Sequence, residues 1–262
     1  MDADLGELVG PPAGGRIFGE TVRTGFADCA PSGRARLDAL ARWLQDIAYG
    51  DVEDAGLATM AVWVVRRTRI KVRRFPRFGE RLEMSTFCSG LGRMWGERRT
   101  TITRPGAPER DVEAVALWVH LDPASWRPIP FNEQEGRLYG SAAAGRRVSA
   151  RLRHPSPAGA TQSAPWSFRA VDLDIAGHIN NAAYWQPLEE EMLSGPEPEQ
   201  LDVEMEFRTP CQPGEKLVLR QGPRRWIVDG QETYASILVA DAVLPAAKSG
   251  SAPAGIRYSA GG

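Results

Sequence analysis

Apolar and polar residues alternate along this chain in two rhythms, and the rhythms change in a fixed order. Residues 17–27 alternate as a strand does. Residues 36–49 then bring Leu37, Leu40, Ala41, Leu44, Ile47 and Ala48 onto one face of a predicted helix. Asp54, Ala55 and Gly56 read as the turn that closes it. Residues 60–72, 81–89, 94–103 and 112–121 are rich in β-branched and aromatic side chains, which suit a pleated surface, so each is predicted to be a strand. The order then returns. Residues 166–171 read as a strand and 179–193 as mostly helix, and 203–208, 216–221, 224–228 and 234–239 read as strands.

The repeat holds residue by residue. Asp28, Gly33 and Gln45 each find a counterpart 144 positions later in Asp172, Gly177 and Glu189. Gly79-Glu80-Arg81-Leu82 matches Gly214-Glu215-Lys216-Leu217 at 135 positions, so the first copy carries about nine more residues between its helix and this turn. A helix wrapped by an antiparallel sheet, used twice, predicts an α+β chain with the tandem double hotdog arrangement, a pseudo-dimer within one chain. The first half is expected over residues 16–139 and the second over 165–245. Residues 1–15, 140–164 and 246–262 are rich in Gly, Pro, Ala and Ser and are expected to be a disordered start, a linker and a disordered tail.

Composition narrows the partners. Net charge is −1, so no global field favours nucleic acid or a membrane surface. Cys29, Cys88 and Cys211 lack CxxC spacing, which argues against a zinc knuckle or a disulfide framework and for a reducing compartment. Residues 1–15 have neither a basic start nor an apolar run, and the longest apolar runs are strand-sized, so a cytoplasmic chain without signal peptide or membrane span is expected. No metal or cofactor is called for. Residues 66–77 hold six arginines and one lysine, and on a strand Arg67, Arg69, Lys71 and Arg73 share a face. That face would suit an acidic carrier protein or a CoA phosphate, or else a charged edge strand.

The chemistry concentrates in residues 172–184, which carry Asp172, Asp174, Gly177, His178, Asn180, Asn181 and Tyr184 between a strand and a helix. Such a junction exposes backbone N–H groups able to hold an oxyanion, and a nearby carboxylate can activate water or attack a carbonyl. This segment resembles the signature of hotdog thioesterases of the hydroxybenzoyl-CoA type and the second-half motif of acyl-acyl-carrier-protein thioesterases. The rest of the chain fits the latter family better. Leu44-Gln45-Asp46-Ile47-Ala48 with Gly56, Trp63-Val64-Val65-Arg66, Pro76 with Gly79-Glu80, Thr86, and Leu117-Trp118 through Arg127-Pro128 resemble its first half.

The resemblance implies a thioesterase acting on acyl-carrier-protein thioesters, with acyl- or aryl-CoA hydrolysis and non-catalytic thioester binding as rivals. It implies Asp174 as the principal acid, His178 orienting the thioester or water, Asn180 and Asn181 shaping the helix start, and Glu189 or Glu190 as an acid within the helix. Amides around Gly177–Ile179 are expected to hold the oxyanion, with Gln45 and Trp63 facing the substrate. Ala176 departs from the plant-type asparagine, Pro210-Cys211 from an acid–Cys pair, and Pro187 from a tryptophan. Ala30 stands where Asp174 stands in the second copy, so a single site is expected, with the first half supplying the acyl pocket.

Overall fold

The computed structural model describes residue 5 and residues 7–245; the tail reading for 246–262 lies outside the described residues. The first half runs β1 (Phe18–Arg23), α1 (Leu37–Asp54), β2 (Val62–Val72), β3 (Arg81–Leu91), β4 (Trp95–Thr103) and β5 (Val112–Leu121). After a further helix, α2 (Glu133–Ala143), the second half runs β6 (Gln162–Phe168), α3 (Gln186–Leu193), β7 (Gln200–Phe207), β8 (Gly214–Gln221), β9 (Arg224–Asp229) and β10 (Glu232–Val243). All ten strands join one antiparallel sheet in the order β1-β3-β4-β5-β2-β7-β10-β9-β8-β6. Each half repeats the other's pairing, and β2 and β7 meet at the centre. This is the double hotdog expected from the order of elements. The helices lie on one face, where Leu40, Leu44 and Ile47 of α1 pack with Ile70, Val203 and Met205 of the central strands.

The 144-position repeat is a repeat of hydrogen bonds. Asp28 Oδ2 accepts from Gly25 N–H at 2.9 Å, and Asp172 Oδ2 accepts from Arg169 N–H at 2.7 Å. Ala30 N–H donates to Arg34 O as Asp174 N–H donates to His178 O. Arg36 N–H donates to Asp28 O as Asn180 N–H donates to Asp172 O. Gly33 and Gly177 hold the same left-handed turn, at φ +83° and +73°, a conformation that penalises a Cβ.

The structure corrects several boundaries. α3 begins at Gln186, after a 3-10 turn over Ala183–Trp185, so the second helix is short rather than long. Pro187 sits in its first turn, where a missing N–H costs nothing, and so sets the start. β6 begins at Gln162 and contains Pro165; it is an edge strand, the place in a sheet that tolerates proline. α2 has no counterpart in the repeat and was not predicted, although Asn132 and Glu135 form a reciprocal capping box that the sequence displays.

Among the described residues, the start of the chain and the stretch read as a linker are fastened to the sheet. Leu5 O accepts from Arg69 Nη1 at 2.8 Å and Val9 O from Arg99 Nε at 3.1 Å. In the stretch between α2 and β6, Val148 O accepts from Trp95 Nε1 at 2.8 Å, Pro155 O from Trp226 Nε1 at 2.9 Å, and His154 O from Arg208 Nη2 at 2.7 Å. Residues 140–143 belong to α2 and 162–164 to β6.

The basic face of β2 is neither a docking ridge nor a charged edge, because β2 is the central strand. Arg67, Arg69 and Lys71 stand directly opposite Glu206, Glu204 and Asp202 of β7. Arg69 is buried and makes a two-pronged bond to Asp202, at 2.8 and 2.7 Å. Arg67 is buried beside Glu204 at 3.6 Å, Lys71 lies 3.7 Å from Asp202, and Arg73 binds Glu113 at 3.0 Å. These four cations, expected to meet a carrier protein, sit in ion pairs along and beside the seam between the halves.

Candidate active site

A cavity of about 520 Å³ lies in the first half and opens at the Asp174 turn. Its wall along α1 is built from Gln45, Ala48, Tyr49 and Val52, which repeat at helical spacing on one face. β2 contributes Val62 and Trp63, and β5 contributes Trp118. Phe131 and Tyr139, just before and within α2, close the side that the repeat leaves open. Trp63 packs against His120 and Phe131, with ring centroids 4.9 and 5.7 Å apart. Trp43 and Trp185 do not line the cavity and belong to the core.

Asp174, Asn180 and Asn181 of the second half stand at this first-half cavity. The Asp174 turn is tight: Ala176 N–H donates to its Oδ1 at 2.9 Å and Gly177 N–H to its carbonyl at 3.0 Å. Asp174 is half-buried, and its Oδ2 makes no hydrogen bond among the described residues. Asn180 Oδ1 accepts from Gln45 Nε2 at 3.0 Å and from Ala182 N–H at 2.8 Å. Two donors on one oxygen fix the orientation of the amide, and its Nδ2 has no hydrogen-bond partner among the described residues. Asn181 Nδ2 donates to Gln45 Oε1 at 3.3 Å. Gln45 of α1 thereby ties the first half to the Asp174–Asn181 segment of the second.

Other expected residues lie elsewhere. Glu189 is buried away from the cavity: its Oε2 accepts from Leu37 N–H at 3.0 Å, at the start of α1, and its Oε1 pairs with Arg34 Nη2 at 2.8 Å. It is an anchor for α1 rather than an acid facing substrate. Arg34 occupies, one repeat earlier, the place of His178, and pairs with Glu197 as well. The degenerate copy of the site is therefore filled by an ion-paired arginine.

His178 does not line the cavity. Its ring stands edge-on to Trp126, with centroids 6.2 Å apart. Trp126 itself holds φ +57°, a conformation uncommon for a bulky residue. The expected amide donors are partly spent: Gly177 N–H goes to Asp174 O, and Ile179, itself buried, donates to Cys211 O at 3.2 Å. Because α3 starts at Gln186, no helix dipole stands behind Asp174. Cys211 is fully buried, its N–H donates to Tyr184 Oη at 3.1 Å, and burial pushes its thiol pKa up, so it is a structural thiol.

One group of His and acids could share an ion, His154 with Glu204 and Glu206. Its three side chains already have neighbours within the fold, although His154 Nε2 makes no hydrogen bond among the described residues. Glu206 accepts both the Arg153 and His154 amides, Glu204 faces Arg67 and His154 Nε2, and His154 Nδ1 meets Ser236.

The chain matches two family models in tandem, the acyl-ACP thioesterase N-terminal domain over residues 15–134 and the C-terminal domain over residues 156–244. It belongs to the acyl-ACP thioesterase family. It is thus a thioester hydrolase. The gap between the two models, residues 135–155, takes in most of α2 and part of the stretch that leads to β6. An uncharacterised protein of Mycobacterium tuberculosis is 25% identical over 221 residues, spanning 84% of this chain and 87% of that protein. A chloroplastic oleoyl-acyl carrier protein thioesterase of Arabidopsis thaliana is 24% identical over 57% of this chain and 48% of its own length. Among solved structures, the 12:0-ACP thioesterase of Umbellularia californica superposes with TM-score 0.67 at 17% identity, covering 85% of this chain and 96% of that one. An acyl-ACP thioesterase of Bacteroides thetaiotaomicron gives 0.66 at 16%, with the same coverage of each chain. No helix among the described residues is long and apolar enough to cross a membrane.

Proposed function

We propose that this thioesterase releases an acyl group from the phosphopantetheine thiol of an acyl carrier protein, with Asp174 as its working acid. The observation that carries the reading is the meeting of Asp174 and the Gln45–Asn180–Asn181 cluster at the opening of a largely apolar cavity. The acyl chain fills that cavity and its thioester carbonyl comes to rest at the mouth. Asn180 Nδ2 donates to the carbonyl oxygen as charge develops there. The free oxygen of Asp174 takes a proton from water as the water attacks the carbonyl carbon, or attacks that carbon itself. The C–S bond then breaks and the thiol leaves carrying a proton; on the direct-attack route water next hydrolyses the acyl–Asp174 anhydride, and on either route a carboxylic acid is released. We assign His178, on the same turn but not among the cavity-lining residues, to contact with the pantetheine arm.

The family supports a carrier-protein substrate over CoA, while the basic face of β2 gives no support, its cations being engaged with β7 and with Glu113. Free-thiol release over matched acyl-carrier-protein and acyl-CoA thioesters, with Asp174→Ala alongside, tests the reading. Turnover on carrier-protein substrates that collapses in the variant is expected. Equal turnover by both proteins would show that another group does the chemistry, and a clear preference for CoA would reverse the assignment of the carrier.

A further inference from the structure

β1 and β3 form the outer edge of the first half, and their ladder ends in exposed charge and aromatic surface. Arg23 stands directly opposite Arg81, and both are exposed. Like charges facing each other across a strand pair destabilise it. One step on, Thr24 N–H donates to Glu80 O at 3.0 Å and Gly79 N–H to Thr24 O at 2.9 Å. Beyond them the rings of Phe26 and Phe78 meet with centroids 4.4 Å apart, although Phe26 is 80% exposed and Phe78 48%. Arg77, next to Phe78, is exposed too, and its Nη1 donates to Ser32 O at 3.2 Å. None of Arg23, Arg77 and Arg81 makes an ion pair among the described residues. The acids around them are committed: Glu80 to Arg74 at 3.0 Å and to the Arg77 amide at 2.8 Å, and Asp28 to Arg42 at 2.8 Å. Glu83, the next side chain of β3 on the Arg81 face, stands opposite Thr21 and Thr103.

An edge strand guarded by charge would need the arginines, but not two exposed phenylalanines beside them. A second copy joined by a two-fold axis would set the arginines against themselves. The patch suits a partner that brings carboxylates around an apolar contact. It also lies beside the route to the cavity. Asp28, on the turn that begins at Phe26, is tied to Arg42 of α1, and Asn180 at the cavity is tied to Gln45, three residues further along α1. Residues three apart share a helix face and lie about 5 Å apart along the axis. The two turns therefore stand side by side along one face of α1.

We infer that the acyl carrier protein docks on this patch, its acidic surface against Arg23, Arg77 and Arg81 and an apolar side chain against the Phe26–Phe78 pair, with its arm running along α1 to the cavity mouth. The inference rests on the reading of this protein as a carrier-protein thioesterase. Its test is thiol release from one medium-chain acyl group carried either on acyl carrier protein or on pantetheine alone. The full chain is compared with Arg81→Glu, Phe26→Ser and a control reversal at an exposed arginine elsewhere, Arg151→Glu. Arg81→Glu sets an acid opposite Arg23, so the sheet edge gains a favourable pair and its fold should hold. On the carrier substrate kcat/KM should fall about tenfold in Arg81→Glu and severalfold in Phe26→Ser, with acyl-pantetheine hydrolysis and the control unchanged. Added salt should slow the full chain on the carrier substrate more than it slows Arg81→Glu. A loss confined to the carrier substrate in either variant supports the inference. No loss in both, an equal loss on both substrates, or an equal loss in Arg151→Glu overturns it. If no thioester is turned over, the proposed function fails, and fluorescence anisotropy with labelled holo-carrier protein still decides the docking. Binding weakened about tenfold by Arg81→Glu supports it; equal binding, or none, overturns it. Phosphatidylserine vesicles that bind the full chain more tightly than the carrier does, and lose that binding in Arg81→Glu, would overturn it in favour of an anionic lipid surface.

Discussion

Asp174 and Glu189 are both acids that the motif brought forward, and their surroundings give them different work. Asp174 is half-buried at a cavity mouth with one oxygen uncommitted, whereas both oxygens of Glu189 are bound within the protein. Asp174→Asn should lower kcat by about a hundredfold or more, the usual contribution of a positioned acid or base, with little change in the thermal midpoint. Glu189→Gln should do the reverse. Removing one partner of a buried ion pair leaves Arg34 under-compensated, and roughly 3 kcal/mol of stability should be lost. Urea unfolding and thiol release on the same two preparations separate these outcomes. A Glu189→Gln protein that is fully stable but inactive would restore Glu189 to the chemistry.

At the scale of elements, α2 is the piece outside the repeat. It packs on β3, and with Phe131 it supplies the wall that turns an open sheet–helix groove into a cavity. His120 holds its start: Nε2 meets Glu135 Oε1 at 2.9 Å and Nδ1 meets Ile129 O at 2.9 Å. Asn132→Ala removes the cap, where Oδ1 accepts from Glu135 N–H at 2.9 Å, and should cost about 1 kcal/mol. Because α2 lines the acyl cavity, KM for the preferred acyl chain should rise more than kcat falls. Steady-state kinetics and a thermal melt check the two parts. The capping box was present in the sequence as Asn132 and Glu135, but α2 falls where the repeat predicts no element, and its Gly136 and Gly140 weaken the helical signal.

At the scale of the molecule, the two halves are joined by β2 and β7 through one apolar and one charged face. Thr68, Ile70 and Val72 lie opposite Met205, Val203 and Leu201 on the helix side, and the opposite face carries the ion pairs. Glu204 shows the consequence for pH. Burial alone would raise its pKa, but the His154 ring, 3.3 Å away, and the charges of Arg67 and Arg153 outweigh burial and lower it. For Glu113, burial is again outweighed, by Arg110, Arg99 and Arg73, and its pKa is lowered too. A carboxylate with a depressed folded-state pKa contributes stability that is fully present above its unfolded value, about 4.3 for glutamate, and is lost as pH falls through the folded value. The melting temperature should therefore fall as pH drops below that value, and less steeply in Glu204→Gln, which has less to lose to acid. Melting curves across the acid range measure this, and equal slopes in both proteins would place the acid sensitivity elsewhere.

The sequence by itself determined what depends on local spacing. Helical periodicity located α1, β-branched runs located the strands, and the 144-position repeat with the Asp174 motif located the turn that borders the cavity. Those patterns arise because side-chain direction follows the backbone period within one element. The tertiary structure decided whatever depends on partners distant in the chain. Arg67 and Arg69 read as a free basic ridge until β7 supplied Glu204 and Asp202. Glu189 read as a pocket acid until Arg34 and the start of α1 claimed it, and Gln45 acquired its partners Asn180 and Asn181 from 135 and 136 residues away. A charge or a carboxamide looks the same in sequence whether it faces water, substrate or an opposite charge, and only the packing of separate elements settles which of these it meets.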